Sequence, residues 1–252
     1  MKICSLASGS KGNTTYIATD KTNILIDLGV SCLYTEKKLK EIDVNPKDII
    51  GILITHTHID HISGLKVFIK KYNPTIYLTK KMHQEISKII KIDKYQYIEK
   101  RFTVGNLTVD VIKTSHDVSD SNGYIINNND KSIVYITDTG YINRKYHSIM
   151  KNRQVYIMES NHDINMLMNG TYPYAIKHRI SGFEGHLSNK ECSDYLKKLV
   201  GDKTTTIILA HLSDENNNYD LALNTTKEAL KNNHIKKIII AKQKEKTEVI
   251  QI

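Results

Sequence analysis

The chain has 252 residues, 40% hydrophobic and 25% charged, enough to bury a substantial core as one domain without disulfides or a partner. Its three cysteines, Cys4, Cys32 and Cys192, are far apart and form no C-x-x-C pair, which excludes a disulfide framework and a zinc ribbon and fits a reducing, cytoplasmic setting. The formal net charge of +9 suits a polyanionic partner such as nucleic acid, although lysine scattered through an Ile- and Asn-rich chain produces the same excess on an ordinary solvated surface.

The opening reads as hairpin-rich. β-prone runs at Lys2–Ala7, Thr14–Thr19 and Asn23–Asp27 are separated by Gly, Ser and Asn clusters that mark turns. No signal peptide is expected ahead of the first run, and apolar stretches such as Ile49–Ile54 are far too short to span a membrane. A helix near Tyr34–Ile42, an apolar strand Ile49–Thr55 and an amphipathic helix Leu65–Tyr72 follow. Strand Thr75–Leu78 and helix Lys81–Ile92 then lead into three strand-like runs, Leu107–Thr114, Gly123–Asn127 and Ser132–Thr137. The last third reads as strand Gln154–Met158, helical stretches Asp163–Met168 and Pro173–Ile180, helix Asn189–Val200 and strand Thr204–Ala210. Helix Asp220–Asn232 and strand Lys236–Ala241 close it. Two β-rich halves, each followed by helices, predict an α+β protein built as a four-layer αββα sandwich, with residues 1–252 in a single domain.

The feature that carries chemistry is Thr55-His56-Thr57-His58-Ile59-Asp60-His61. Residues two apart on an extended segment point the same way, so His56 and His58 can converge on one ion, and the turn that follows swings Asp60 and His61 toward a second position. This segment resembles the H-x-H-x-D-H signature of the metallo-β-lactamase superfamily. Asp27 in Leu25-Ile26-Asp27-Leu28-Gly29, His116 after Thr114-Ser115, Asp138 after Tyr135-Ile136-Thr137 and His211 after Leu209-Ala210 match the superfamily's remaining motifs in order. The resemblance implies a metallo-β-lactamase-type αββα sandwich that binds two divalent metal ions. It places His56, His58 and His116 on one ion and Asp60, His61 and His211 on the other, with Asp138 bridging them and Asp27 supporting the metal loop. Histidine and aspartate ligands without cysteine suit Zn(II) or Mn(II).

Finer motifs indicate a branch of the superfamily. They are Leu6-Ala7-Ser8-Gly9-Ser10-Lys11-Gly12-Asn13-Thr14, Glu159-Ser160-Asn161-His162-Asp163, Tyr172-Pro173, Lys177-His178-Arg179-Ile180, Gly185-His186-Leu187-Ser188-Asn189 and Ala210-His211-Leu212-Ser213-Asp214-Glu215-Asn216-Asn217. Together these resemble the YycJ/WalJ (VicX) family across essentially the whole chain. That resemblance implies a metal-dependent 5′ to 3′ exonuclease acting on DNA, with a role in repair. Glu159 and His186 are similar to a dyad of tRNase Z enzymes that protonates the leaving group, so Asp60, Glu159 and His186 are the candidate catalytic residues. Ser10 and Asn13 in the Gly-rich opening, Asn161 and His162, and the basic pair Lys177 and Arg179 beside Tyr172 and Tyr174 are candidate substrate contacts. Helix capping is the plainer role for Asn161, Asp163 and Ser188. The alternatives are a tRNase Z-like endoribonuclease, a small-molecule thioester or lactone hydrolase of the same fold, and a non-enzymatic regulatory protein. The small-molecule hydrolase would need neither the Glu159/His186 donor nor a basic groove.

Overall fold

Strand after strand in this chain is apolar on both faces, so each sheet has to be covered twice. A computed structural model, which describes residues 1–252, shows how this is met. The first sheet is laid down by β1 (Lys2–Ala7), β2 (Thr14–Ala18), β3 (Asn23–Ile26), β4 (Gly51–Leu53), β5 (Thr75–Leu78) and β6 (Tyr95–Tyr97). The second consists of β7 (Arg101–Val104), β8 (Leu107–Lys113), β9 (Asn122–Asn128), β10 (Lys131–Ile136), β11 (Val155–Glu159), β12 (Thr206–Ala210) and β13 (Lys237–Ile240). The closing strand β14 (Ile250–Gln251) returns to the first sheet and pairs antiparallel with β1. The strand orders are β14-β1-β2-β3-β4-β5-β6 and β13-β12-β11-β10-β9-β8-β7.

Side chains alternate between two cores along each strand, as the period of two requires. Ile24 and Ile26 of β3 pack between the sheets with Tyr124, Ile133, Tyr135 and Ile157 of the second sheet. Leu25, between them, faces outward to Leu39, Leu65 and Phe68. Val134 and Ile136 of β10 likewise point away from the central core, toward Met150, Cys192, Leu196 and Leu199. Helices therefore cover both outer faces, and the α+β four-layer sandwich follows from the double-sided apolar pattern.

Both sheets pass from antiparallel to parallel pairing at corresponding places. β1, β2 and β3 form an antiparallel meander, after which β4, β5 and β6 add in parallel. β7 to β10 and then β11 to β13 repeat that order. The last antiparallel strand of each meander ends in Asp-x-Gly, at Asp27-Leu28-Gly29 and Asp138-Thr139-Gly140. Each of the two aspartates has left-handed backbone, with φ of 56° and 54°. His211, after β12, has φ 54°. A non-glycine residue in this region costs about 1–2 kcal/mol, and the three positions serve one site: Asp138 and His211 turn off their strand ends into the cleft between the sheets, and Asp27 turns against His61 from behind it.

Most expected elements stand within a few residues of their predicted bounds. The exceptions have physical causes. Helix Lys80–Ile86 stops well short of Ile92, and Ile90 and Ile92 are buried without helical backbone. β6, β7 and β14 were not expected, because Tyr95, Gln96 and Tyr97 are all exposed at a sheet edge and β14 is only two residues long. Asp163 caps helix Ile164–Asn169, and Ser188 forms a capping box with Glu191 on helix Asn189–Leu199. No helix is long and apolar enough to cross a membrane.

Candidate metal centre

The strand ends bring His56, His58, Asp60, His61, His116, Asp138 and His211 into one cleft. Ligand-type atoms of His56, His58 and His116 lie within 4.8 Å of one another, and so do those of Asp60, His61 and His211. Asp138 joins His56 and His61 in a third such group and His211, Glu159 and His186 in a fourth, so it stands between the two ligand sets. Gly29 permits this packing. A Cβ there would sit 1.6 Å from the Asp60 carbonyl oxygen, so no larger residue lets the metal loop lie against the end of β3.

The tautomers are set from outside the cleft. His61 Nδ1 donates to Asp27 Oδ2 at 2.7 Å, and Asp27, fully buried, also accepts from the Thr55 N–H and hydroxyl at 2.8 and 2.7 Å. With the Thr55 hydroxyl committed to Asp27, His56 Nδ1 donates to Thr55 Oγ1 at 3.0 Å. His116 Nδ1 donates to the Gly185 carbonyl at 3.2 Å, and His211 Nδ1 to Glu159 Oε1 at 3.1 Å. Four imidazoles are thus pinned through Nδ1 and turn Nε2 inward, the arrangement in which a neighbouring acceptor fixes ring orientation for ligation. His58 is the exception: its Nδ1 lies 3.2 Å from His116 Nε2 and its Nε2 is 3.7 Å from Asp117 Oδ1.

The residues fit divalent cations. His56 Nε2, His211 Nε2 and Asp138 Oδ2 are buried with no hydrogen-bond partner, although His61 Nε2 lies 3.2 Å from that oxygen. Orphaned polar atoms are costly in a protein interior, and one in each ligand set, with Asp138 grouped with both, is what a pair of cations would satisfy. Burial holds His56 and His116 below the usual imidazole range, which keeps their lone pairs free. Burial would also lower His211, but Asp138, Asp60 and Glu159 outweigh it and raise the ring to about 10, marking a place where positive charge is stabilised. The donor set, imidazole and carboxylate without thiolate, is that of borderline ions.

Beside the cluster lies the Glu159 and His186 pair. His186 Nδ1 donates to Glu159 Oε1 at 2.6 Å, and its ring is 18% exposed. Glu159 is fully buried at the end of β11 and also accepts from the backbone N–H groups of Thr139 at 3.0 Å and Leu187 at 3.2 Å. Burial alone would raise this carboxyl, but attraction and hydrogen bonding from His186 and His211 hold it down at about 2. One carboxylate therefore orients both a metal-type ligand, His211, and a candidate proton donor, His186.

The remaining predicted residues are placed more variously. Asn13 is buried, and its Nδ2 lies 3.0 Å from His61 Nε2 and 3.2 Å from Asp60 Oδ2, so it braces the metal loop at the cleft floor. Ser10, in the same loop, is exposed. Asn161 is buried, donates to the His211 carbonyl at 3.1 Å and caps no helix. His162 is buried with its Nδ1 unpartnered and its carbonyl accepting from Asn189 at 2.8 Å. Lys177 and Arg179 part company on helix Tyr174–Ile180. The Lys177 ammonium bonds the Met168 carbonyl at 2.8 Å, while Arg179 pairs with Asp117 at 2.5 Å and so reaches the cleft.

Three contributors had not been singled out from the sequence. Asp117 Oδ1 is 3.4 Å from His116 Nε2, and the His116-Asp117 dipeptide at a strand end was its only signal. Thr55 ties Asp27 to the metal loop from the position preceding His56. Ser8 Oγ accepts from the His211 N–H at 2.8 Å across 203 positions of the chain, a contact with no local signature.

Fold and site together define a class. Residues 7–146 match the family profile described as Metallo-beta-lactamase superfamily, and the chain belongs to that superfamily, which makes it an enzyme of the metal-dependent hydrolase type. It is 38% identical over 86% of its length to the exodeoxyribonuclease YycJ of Bacillus anthracis, of which it covers 84%. It is 39% identical to the exodeoxyribonuclease WalJ of Streptococcus pneumoniae strain D39, again over 86% of this chain and 83% of that one. Within the superfamily it is therefore a member of the YycJ/WalJ family. Two solved structures share its fold throughout. YhfI of Bacillus subtilis aligns with a TM-score of 0.74 at 17% identity, covering 98% of this chain and 99% of that one. Human tRNase Z, short form, aligns at 0.69 and 13% identity over 100% of both.

Proposed function

We propose that the chain is a two-metal phosphodiesterase that removes nucleotides from DNA in the 5′ to 3′ direction, in the service of DNA repair. The observation that carries this reading is the Glu159 and His186 pair set against the ligand cluster, since a nucleoside oxygen is a poor leaving group and needs a proton. The names of the YycJ and WalJ relatives supply the DNA substrate.

His56, His58 and His116 would hold one ion, Asp60, His61 and His211 the other, and Asp138 would bridge them. Two such ions, Zn(II) or Mn(II), supply Lewis acidity toward the phosphate and make a water nucleophilic at neutral pH. Glu159 keeps His186 oriented through Nδ1, leaving Nε2, which makes no hydrogen bond, as the atom that delivers the proton to the departing oxygen. Asp27 and Thr55 hold the metal loop in register, and Arg179, tethered through Nε and Nη2 by Asp117, places its remaining N–H groups at the cleft for the phosphate backbone.

Purified protein supplied with Mn(II) or Zn(II) is incubated with 5′- and 3′-labelled DNA and RNA. Release of the 5′ label as the first product on DNA supports the reading. Cleavage at internal positions of RNA favours a tRNase Z-like endoribonuclease, and inertness on both overturns it.

A further inference from the structure

Of the three phenylalanines in the chain, Phe68 and Phe102 are buried, and Phe183 is 80% exposed. It stands three residues before His186. Against it lies Tyr141, three residues after Asp138 and 39% exposed, with ring centroids 6.0 Å apart and planes at 90°. Both segments are tied to the metal centre by their backbones. The Gly140 N–H donates to the carbonyl of Ser115, next to His116, and the Gly185 carbonyl receives His116 Nδ1. A Cβ on Gly140 would meet the carbonyl oxygens of Gly182 and Phe183 at 2.3 Å, so the two loops are seated directly on one another. A large apolar ring is thus held out in water on a braced backbone, where packing gives it nothing to do.

Tyr141 also lines a cleft of about 220 Å³ shared with Ser115, Asn143, Lys145, Tyr146 and Lys113, whose ammonium is paired with Asp120. Aromatic faces next to lysines suit a single nucleic-acid strand, because every base has a π-face and every linkage a negative charge. We propose that Phe183, propped at its edge by Tyr141, is a stacking platform for a nucleobase close to the scissile bond, with Lys145 in the adjoining cleft receiving the neighbouring phosphate. This rests on the reading of the metal centre as a DNA phosphodiesterase, and it assigns the strand to the Tyr141 side of that centre. The rings stand perpendicular, so the base stacks on the open face of Phe183 and does not intercalate between the two.

The test uses single-stranded oligonucleotides with 2-aminopurine at one of the first three 5′ positions and phosphorothioate linkages to slow cleavage. The metal-loaded protein should quench 2-aminopurine at one of those positions. Phe183→Ala should abolish that quenching and weaken binding about 5- to 150-fold, the usual size of one base–aromatic stack, and Phe183→Trp should restore both. On an oligonucleotide abasic at the responding position, the Phe183→Ala penalty should vanish. A penalty of the same size on the abasic strand, or unchanged quenching, overturns the platform. Sedimentation identifies the competing occupant: a parental dimer that Phe183→Ala dissociates, with the base signal intact, makes the ring a contact between copies and overturns it too. Cleavage of DNA by the parental protein separates these failures from failure of the nuclease reading, since a parental protein inert on DNA removes both.

Discussion

Replacing Glu159 by glutamine should be more damaging than removing His186, although His186 is the proposed proton donor. The Glu159 carboxylate accepts four N–H bonds, from His186 and His211 on Oε1 and from the Thr139 and Leu187 backbones on Oε2. A glutamine in either flip state turns an NH₂ toward two of those donors. Hydrogen bonds to a charged group contribute about 1.5–3 kcal/mol each, so two buried mismatches cost about 3 kcal/mol even after relaxation. For a chain of this size that lowers Tm by roughly 6–12 °C. Loss of the acceptor behind His211 should also weaken metal binding about 10- to 100-fold. His186→Ala, by contrast, leaves three donors on Glu159 and keeps His211 oriented, and water can replace a ring that is 18% exposed. It should retain both ions and the parental Tm. Its turnover on DNA should fall by about 10²-fold or more, with little loss on bis-p-nitrophenyl phosphate, whose leaving group departs unprotonated. Metal analysis, thermal melts and the two substrates read these outcomes together. Full metal content and an unchanged Tm in Glu159→Gln would refute the shared-carboxylate argument, and equal losses on both substrates in His186→Ala would return protonation to another group.

Asp138→Ala should drop metal content from two ions toward one or none and abolish hydrolysis with an unchanged circular dichroism spectrum, because Asp138 lines the cleft and not the apolar core; an active variant with both ions would remove it from the site. Asp27→Ala strips the buried acceptor that orients His61, so metal affinity should fall about 10- to 100-fold in equilibrium dialysis, and parental affinity would show that Thr55 alone holds the loop. Arg179→Ala should weaken single-stranded DNA binding and lower the slope of log affinity against log salt by up to about one, because Arg179 stands at the cleft through Asp117 beside His116, whereas Lys177→Ala, whose ammonium is held at the Met168 carbonyl, should leave the slope in place; the reverse order would reassign the contact. Lys71, with Cys32 and Tyr72, holds the Glu36 carboxyl at about 2, below its ordinary 4.5. A depressed folded value gives stability that is present above pH 4.5 and lost as pH falls through about 2, so parent and Glu36→Gln should differ in urea unfolding at pH 6 and converge at pH 2.

The sequence by itself determined the elements that rest on local chemistry. His56 to His61 compress four ligand-type residues into six positions, and a strand followed by a turn can present them in only a few ways. His116, Asp138 and His211 were legible because each stands at the end of an apolar run, where a sandwich opens its cleft. The runs themselves, falling in two β-rich halves each followed by helices, already pointed to two covered sheets. Tertiary structure alone decided the partners. That Glu159 serves His211 as well as His186, that Asn13 lies under His61 and Asp60, that Ser8 holds the His211 backbone and that Arg179 is tethered through Asp117 are contacts between segments far apart in the chain. The same holds for Phe183, which looks like any loop phenylalanine until Gly140 is seen pressed beneath its backbone. Ligand type and periodicity are properties of neighbouring residues and are written along the chain. Which buried donor meets which acceptor depends on how two sheets are docked, and that is settled only when the apolar faces of all fourteen strands pack at once.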